Sequence, residues 1–101
     1  MTKYKFRTDL SKTRVCRIVL HVTGMEMPKL GEVEFRKNSG TYWLRFYSGD
    51  RYCKVTFSAF AGKAHIRVEE FDFGSDKYHQ TAFYPVQFEY LQENGCLREA
   101  S

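Results

Sequence analysis

Residues able to do chemistry are few and scattered in this sequence. Three histidines stand at 21, 65 and 79, and three cysteines at 16, 53 and 96. Nucleophilic catalysis needs a hydroxyl or thiol beside a base that a third group orients. Ser58 and His65 supply two members of such a set if they face each other across a hairpin, but no acid follows to orient the imidazole. The expectation is a surface histidine beside a serine. Asp76 and His79 in Asp76-Lys77-Tyr78-His79 are two metal ligands, too few for a site. No P-loop, dinucleotide fingerprint, HExxH, GxSxG or paired-carboxylate pattern occurs. No catalytic residue, metal ligand set or cofactor is therefore assigned, and the chain is expected not to be an enzyme.

Aromatic and cationic residues carry more information. Trp43, Arg45 and Tyr47 alternate along one segment, Tyr52, Lys54 and Thr56 along the next, and His65, Arg67 and Glu69 along a third. Rings interleaved with cations on a sheet can stack bases and hold phosphates, and the same composition marks protein-interface hot spots. Trp43, Arg45, Tyr47, Tyr52, Lys54 and Arg67 are the candidate partner-binding set. Lys3, Lys5, Arg7, Lys12, Arg14 and Arg17 form a second set, a basic N-terminal arm suited to nucleic acid. Residues 1–17 hold six cations and one acid, whereas residues 69–101 hold seven acids and two cations. Such a dipolar chain steers toward a charged partner without identifying it.

The elements that must position these residues read as strands. Apolar residues repeat with period two between turn-forming residues, which predicts strands near 3–8, 14–23, 31–37, 41–48, 51–60 and 64–71, and a strand or helix between 78 and 91. The connections between 31 and 71 are too short for parallel crossovers, so these strands form hairpins. A loop at Asn38-Ser39 places Phe35 opposite Tyr42 and Val33 opposite Leu44. Loops at Gly49-Asp50 and Ala61-Gly62 set Phe46 against Cys53, Leu44 against Val55, Tyr42 against Phe57, Ala59 against Ala64, Phe57 against Ile66 and Val55 against Val68. One apolar face results, to which a strand at 14–23 adds Cys16, Ile18, Leu20 and Val22. On the opposite face Glu32, Arg45, Lys54 and Glu69 fall in one row, and Glu34, Trp43, Thr56 and Arg67 in the next. These charges pair off across strands, which weakens the phosphate-binding reading of the sheet. The expected fold is all-β or β-rich α+β: a single antiparallel meander of five to seven strands, strongly twisted or closed into a small barrel. A short C-terminal strand or helix covers its apolar face.

Length and composition set the outer limits. A chain of 101 residues, 43% hydrophobic and 17% aromatic, makes one domain spanning 1–101 and is too rich in aromatics for disorder. The run Ile18-Val19-Leu20-His21-Val22 is far short of a membrane span, and the N-terminus lacks an apolar signal region. An odd number of cysteines without CxxC spacing reads as reduced thiols of a cytoplasmic protein, with Cys16 and Cys53 buried and Cys96 exposed in a polar tail. The function expected is that of a small interaction module that binds and blocks or adapts a protein partner, in the manner of accessory inhibitors that phages and mobile elements direct against host defence. The alternative is a nucleic-acid-binding module. An exposed strand edge also leaves a homodimer open.

Overall fold

The computed structural model describes residues 3–38, 40–60 and 62–100, without the side chains of Lys3, Phe60 and Ala100. Its centre is the meander β2 (Glu34–Asn38), β3 (Thr41–Ser48), β4 (Arg51–Phe60), β5 (Lys63–Asp72) and β6 (Lys77–Val86). All neighbours are antiparallel in the order β2-β3-β4-β5-β6. The sheet is open, with β2 and β6 at its edges, and does not close into a barrel. A two-stranded ribbon pairs β1 (Lys3–Phe6) with β7 (Leu97–Ala100).

The β3–β4 and β4–β5 registers are those expected from their turns, with Leu44 opposite Val55 and Phe57 opposite Ile66. The β2–β3 register is displaced by two residues: Asn38 pairs with Thr41 and Phe35 with Leu44. Glycine explains the shift. A tight hairpin turn demands positive φ, and Gly40 supplies it at +74°, so the loop forms between Asn38 and Thr41 rather than at Asn38-Ser39. Ser39 and Ala61, members of two of the expected loops, lie outside the described residues. A displacement of two preserves which face each side chain occupies, so the apolar face survives.

The larger correction concerns 14–23. This segment is not a strand but part of the helix α1 (Lys12–Thr23). Val15, Ile18, Val19 and Val22 fall at i, i+3, i+4 and i+7, the stripe of an amphipathic helix. Val15 and Val19 are fully buried, whereas Leu20 is 48% exposed. Ser11 caps the N-terminus by accepting from the Arg14 N–H at 3.2 Å, and Gly24 ends the helix in the left-handed conformation. Packing of the stripe against the sheet outweighs the strand preference of its valines and isoleucine.

α1, β1 and a short helix α2 (Phe88–Glu93) contribute to one core with the inward face of the sheet, through Phe6, Val19, Tyr42, Phe57, Ile66, Val68 and Leu91. The 78–91 segment is both expected alternatives in succession, but its strand β6 joins the sheet as an edge rather than covering it, and of the two only α2 packs on the apolar face, beside α1. Tyr42, 1% exposed, ties the N-terminal segment down: its hydroxyl accepts from the Leu10 N–H at 3.1 Å and donates to the Arg7 carbonyl. Cys96, expected exposed, is fully buried with Cys16 and Cys53, and burial raises all three thiol pKa values. Fully buried between α2 and β7, with its backbone bonded to Leu91 and Arg7, Cys96 is poorly placed for an intermolecular disulfide. No helix among the described residues is long and apolar enough to cross a membrane.

Candidate interaction face and a basic groove

With α1, α2 and β1 all on the inward side, the outward face of the five-stranded sheet carries no covering layer among the described residues. Every member of the expected partner-binding set lies on it. Its first row runs Glu34, Arg45, Lys54, Glu69, Gln80, and its second Arg36, Trp43, Thr56, Arg67, Phe83. The displaced hairpin changes two members: Glu34 replaces Glu32 opposite Arg45, and Arg36 replaces Glu34 opposite Trp43. Glu32 leaves the sheet for a short 3-10 helix, Leu30–Glu32. These two rows therefore hold four cations against two carboxylates.

Most of those charges are matched locally. Arg36 Nε lies 3.1 Å from Glu34 Oε1, Arg67 Nε 3.6 Å from Glu69 Oε1, and Lys54 Nζ sits 5.5 Å from the centroid of the Tyr78 ring. Arg45 has no carboxylate within 4 Å among the described residues. Glu34, Arg36, Trp43, Arg45 and Lys54 line a hollow of about 160 Å³. Beside it Thr56, 5% exposed, and Arg67 hold two polar atoms, Oγ1 and Nε, without hydrogen-bond partners.

Aromatic rings extend the face toward both ends. Tyr47 and Tyr52, paired across the β3–β4 hairpin, have centroids 4.9 Å apart, and Tyr47 is 53% exposed. Burial, then the neighbouring Tyr78, pushes the Tyr52 hydroxyl pKa up. Phe71 packs edge-on against both Tyr78 and Phe73. At the other end His65 stacks on Phe83, with centroids 5.0 Å apart. The β5–β6 register shifts between Val68 and Glu69 around Thr81, and this bulge helps set Phe83 opposite Arg67 and Gln80 opposite Glu69. Tyr78 and Phe83 were not among the expected site residues, because the class of the 78–91 segment was open and its register could not be extended from β5. Phe71, at the end of the expected strand 64–71, shares the outward face with Glu69 by alternation and was legible but not singled out.

Ser58 and His65 do meet, with Ser58 Oγ 3.3 Å from His65 Nε2. Burial, then Arg67, lowers the imidazole pKa, and no carboxylate among the described residues bonds its other nitrogen. The pair therefore lacks the third member of a nucleophilic triad. His79 turns not to Asp76 but to Asp72, at 3.8 Å. Asp72 organises the β5–β6 turn by accepting from Ser75 Oγ and the Gly74 N–H, each at 2.9 Å, and these bonds lower its pKa.

The basic N-terminal set is not an arm. Lys5 lies in β1, with Arg7 just beyond it, and Arg7 makes a two-pronged pair with Asp9 at 2.9 Å. That pair holds the Asp9 carboxyl down to about 2. Lys3 belongs to the same strand, its side chain outside those described. Lys12, Arg14 and Arg17 lie on α1. Arg14 and Arg17 line a groove of about 550 Å³ with His21, Tyr90, Glu93 and Gly95. Reading 14–23 as a strand hid this groove; read as a helix, Arg14, Arg17 and His21 at i, i+3 and i+7 share one stripe. Comparison with protein-family models, with curated proteins and with solved structures finds no match for this chain.

Proposed function

We propose that the protein is a non-catalytic binding module whose outward sheet face docks a protein partner bearing an acidic side chain among apolar neighbours. The observation that carries this reading is the hollow beside Trp43. At about 160 Å³ it is smaller than the 300 to 1,000 Å³ typical of small-molecule sites, and has room for one inserted side chain. Arg45, which has no carboxylate within 4 Å among the described residues, and Lys54 line it and favour a carboxylate, while Arg36 is held by Glu34 in the same wall. Exposed Tyr47 lies two residues along β3 from Arg45, and exposed Phe83 stands at the β6 edge of the same face, both of the rigid aromatic type that anchors interface hot spots. The matched charges argue against phosphate tracking across the sheet, since that affinity grows with the number of cations free to replace counterions. A module of this kind blocks or adapts its partner by occupying a surface, which is how accessory inhibitors from phages or mobile elements act.

A photo-crosslinking residue at position 47 or 83 should capture a protein from the native host, and one at exposed Leu20, on α1, should not. With that protein purified, Arg45→Glu and Tyr47→Ala should each cost about 2 kcal/mol or more, roughly 30-fold in affinity. Equal capture from position 20, or unchanged affinity in both variants, refutes the reading. Steeply salt-dependent binding of oligonucleotides, abolished by Arg45→Ala, would transfer the face to nucleic acid.

A further inference from the structure

The groove between α1 and α2 has two arginines without a carboxylate side by side, whereas on the sheet face only Arg45 among the described arginines lacks one. Arg7, Arg36, Arg51 and Arg67 each have a carboxylate within 4 Å. Among the described residues Arg14 and Arg17 have none, although Glu93 lines the same groove. Arg14 is instead anchored through the backbone, its Nη1 lying 3.5 Å from the Gly95 carbonyl oxygen. Gly95 has φ +69°, and a side-chain carbon there would come within 3.1 Å of the same nitrogen. The glycine thus lets the guanidinium rest at the lip of the groove. Unpaired cations in a concave wall focus potential toward an anion more strongly than the same charges on a flat surface.

The wall beside them is aromatic. The His21 and Tyr90 rings lie parallel to within 4°, centroids 5.5 Å apart. An offset parallel pair of this kind offers a base a flat surface. A groove of about 550 Å³ lies within the usual range for small ligands. From the coincidence of unpaired guanidiniums, a stacking surface and adequate volume, we infer that the α1–α2 groove binds a nucleotide. Its phosphate lies between Arg14 and Arg17 and its base against the His21–Tyr90 pair. The nucleotide is either free or the phosphorylated end of a single strand, and both present the same chemistry.

Calorimetric titration of the full chain at about 50 mM salt with adenosine monophosphate, adenosine, inorganic phosphate and a 5′-phosphorylated oligonucleotide tests the assignment. Adenosine monophosphate should bind with a dissociation constant below about 1 mM, and roughly tenfold or more tighter than adenosine or inorganic phosphate, because each component makes only part of the contact. Arg17→Ala should weaken it roughly tenfold or more, the loss expected for one charge-assisted phosphate contact. Arg17 is exposed and makes no side-chain hydrogen bond or ion pair among the described residues, so its thermal unfolding should match wild type. Tighter binding of the oligonucleotide identifies a strand end as the source, and equal or weaker binding a free nucleotide. Undetectable binding of adenosine monophosphate and the oligonucleotide at about 1 mM overturns the assignment. So does inorganic phosphate binding as tightly as the nucleotide, or full affinity in both Arg14→Ala and Arg17→Ala.

Discussion

Replacing Tyr42 with Phe removes one oxygen from the centre of the protein and leaves its shape nearly unchanged. That oxygen serves two backbone groups at once, accepting from the Leu10 N–H at 3.1 Å and donating to the Arg7 carbonyl. Leu10 is 3% exposed and Tyr42 1%, so water cannot readily substitute at the N–H. A buried donor left without a partner costs about 1–3 kcal/mol, and an ordinary hydrogen bond lost at the half-buried Arg7 adds about 0.5–1.5. The expected loss is between about 1.5 and 4.5 kcal/mol, or at least about 6 °C in melting temperature for a domain of this size. Urea denaturation should show a lower midpoint with an unchanged slope. Hydrogen exchange should quicken over residues 7–11, the connector that delivers Ser11 and α1 to the sheet. The control is Tyr47→Phe on the exposed face, expected within about 0.5 kcal/mol of wild type. A Tyr42→Phe protein as stable as that control would refute the claim that this hydroxyl pins the N-terminal segment.

Four further outcomes follow from particular contacts. Ser11→Ala removes the cap that accepts from the Arg14 N–H and should cost about 1 kcal/mol in the same assay, whereas Thr13→Ala on the exposed surface should not. Gly95→Ala forces an alanine to φ +69° and crowds Arg14, so it should destabilise by about 1–2 kcal/mol. Asp9 should titrate near 2 by NMR and return toward the ordinary carboxylate value in Arg7→Ala. Because its folded pKa is depressed, whatever stability the pair adds is present above the usual 3.8 and fades as pH falls toward 2. Finally, all three cysteines should resist thiol reagents in the folded state and react together on unfolding, and a thiol labelled at its free rate in native protein would contradict their burial.

The β3-β4-β5 meander was legible from residues because everything that sets it is local. Alternation divides the two faces, and the turns fix the register: Phe46 against Cys53 and Ala59 against Ala64 follow from loop position alone. The outward placement of Trp43, Arg45, Tyr47, Tyr52, Lys54 and Arg67 comes with them. The first hairpin departed by two residues because the turn follows Gly40, a signal present in the sequence and outweighed there by Asn38-Ser39. The helix at 12–23 was also encoded, in Ser11, Gly24 and the Val15-Ile18-Val19-Val22 spacing, but strand-favouring residues matched a two-residue period equally well over that length.

Three features belong to the tertiary structure alone. Cys96 sits in a polar stretch, and only the packing of β7 beside β1 and of α2 over the core encloses it. The aromatic continuation through Tyr78 and Phe83 depends on β6 joining β5 across a bulge, which no alternation pattern places. The α1–α2 groove joins Arg14 and Arg17 to Tyr90 and Gly95, some 80 positions along the chain. By itself the sequence determined which residues face which side of the meander, because side-chain period and turn chemistry act over a few residues. Which distant surfaces meet, and which cations are left without a carboxylate, was decided by packing of one apolar helical stripe onto the sheet, an interaction that exists only once both have formed.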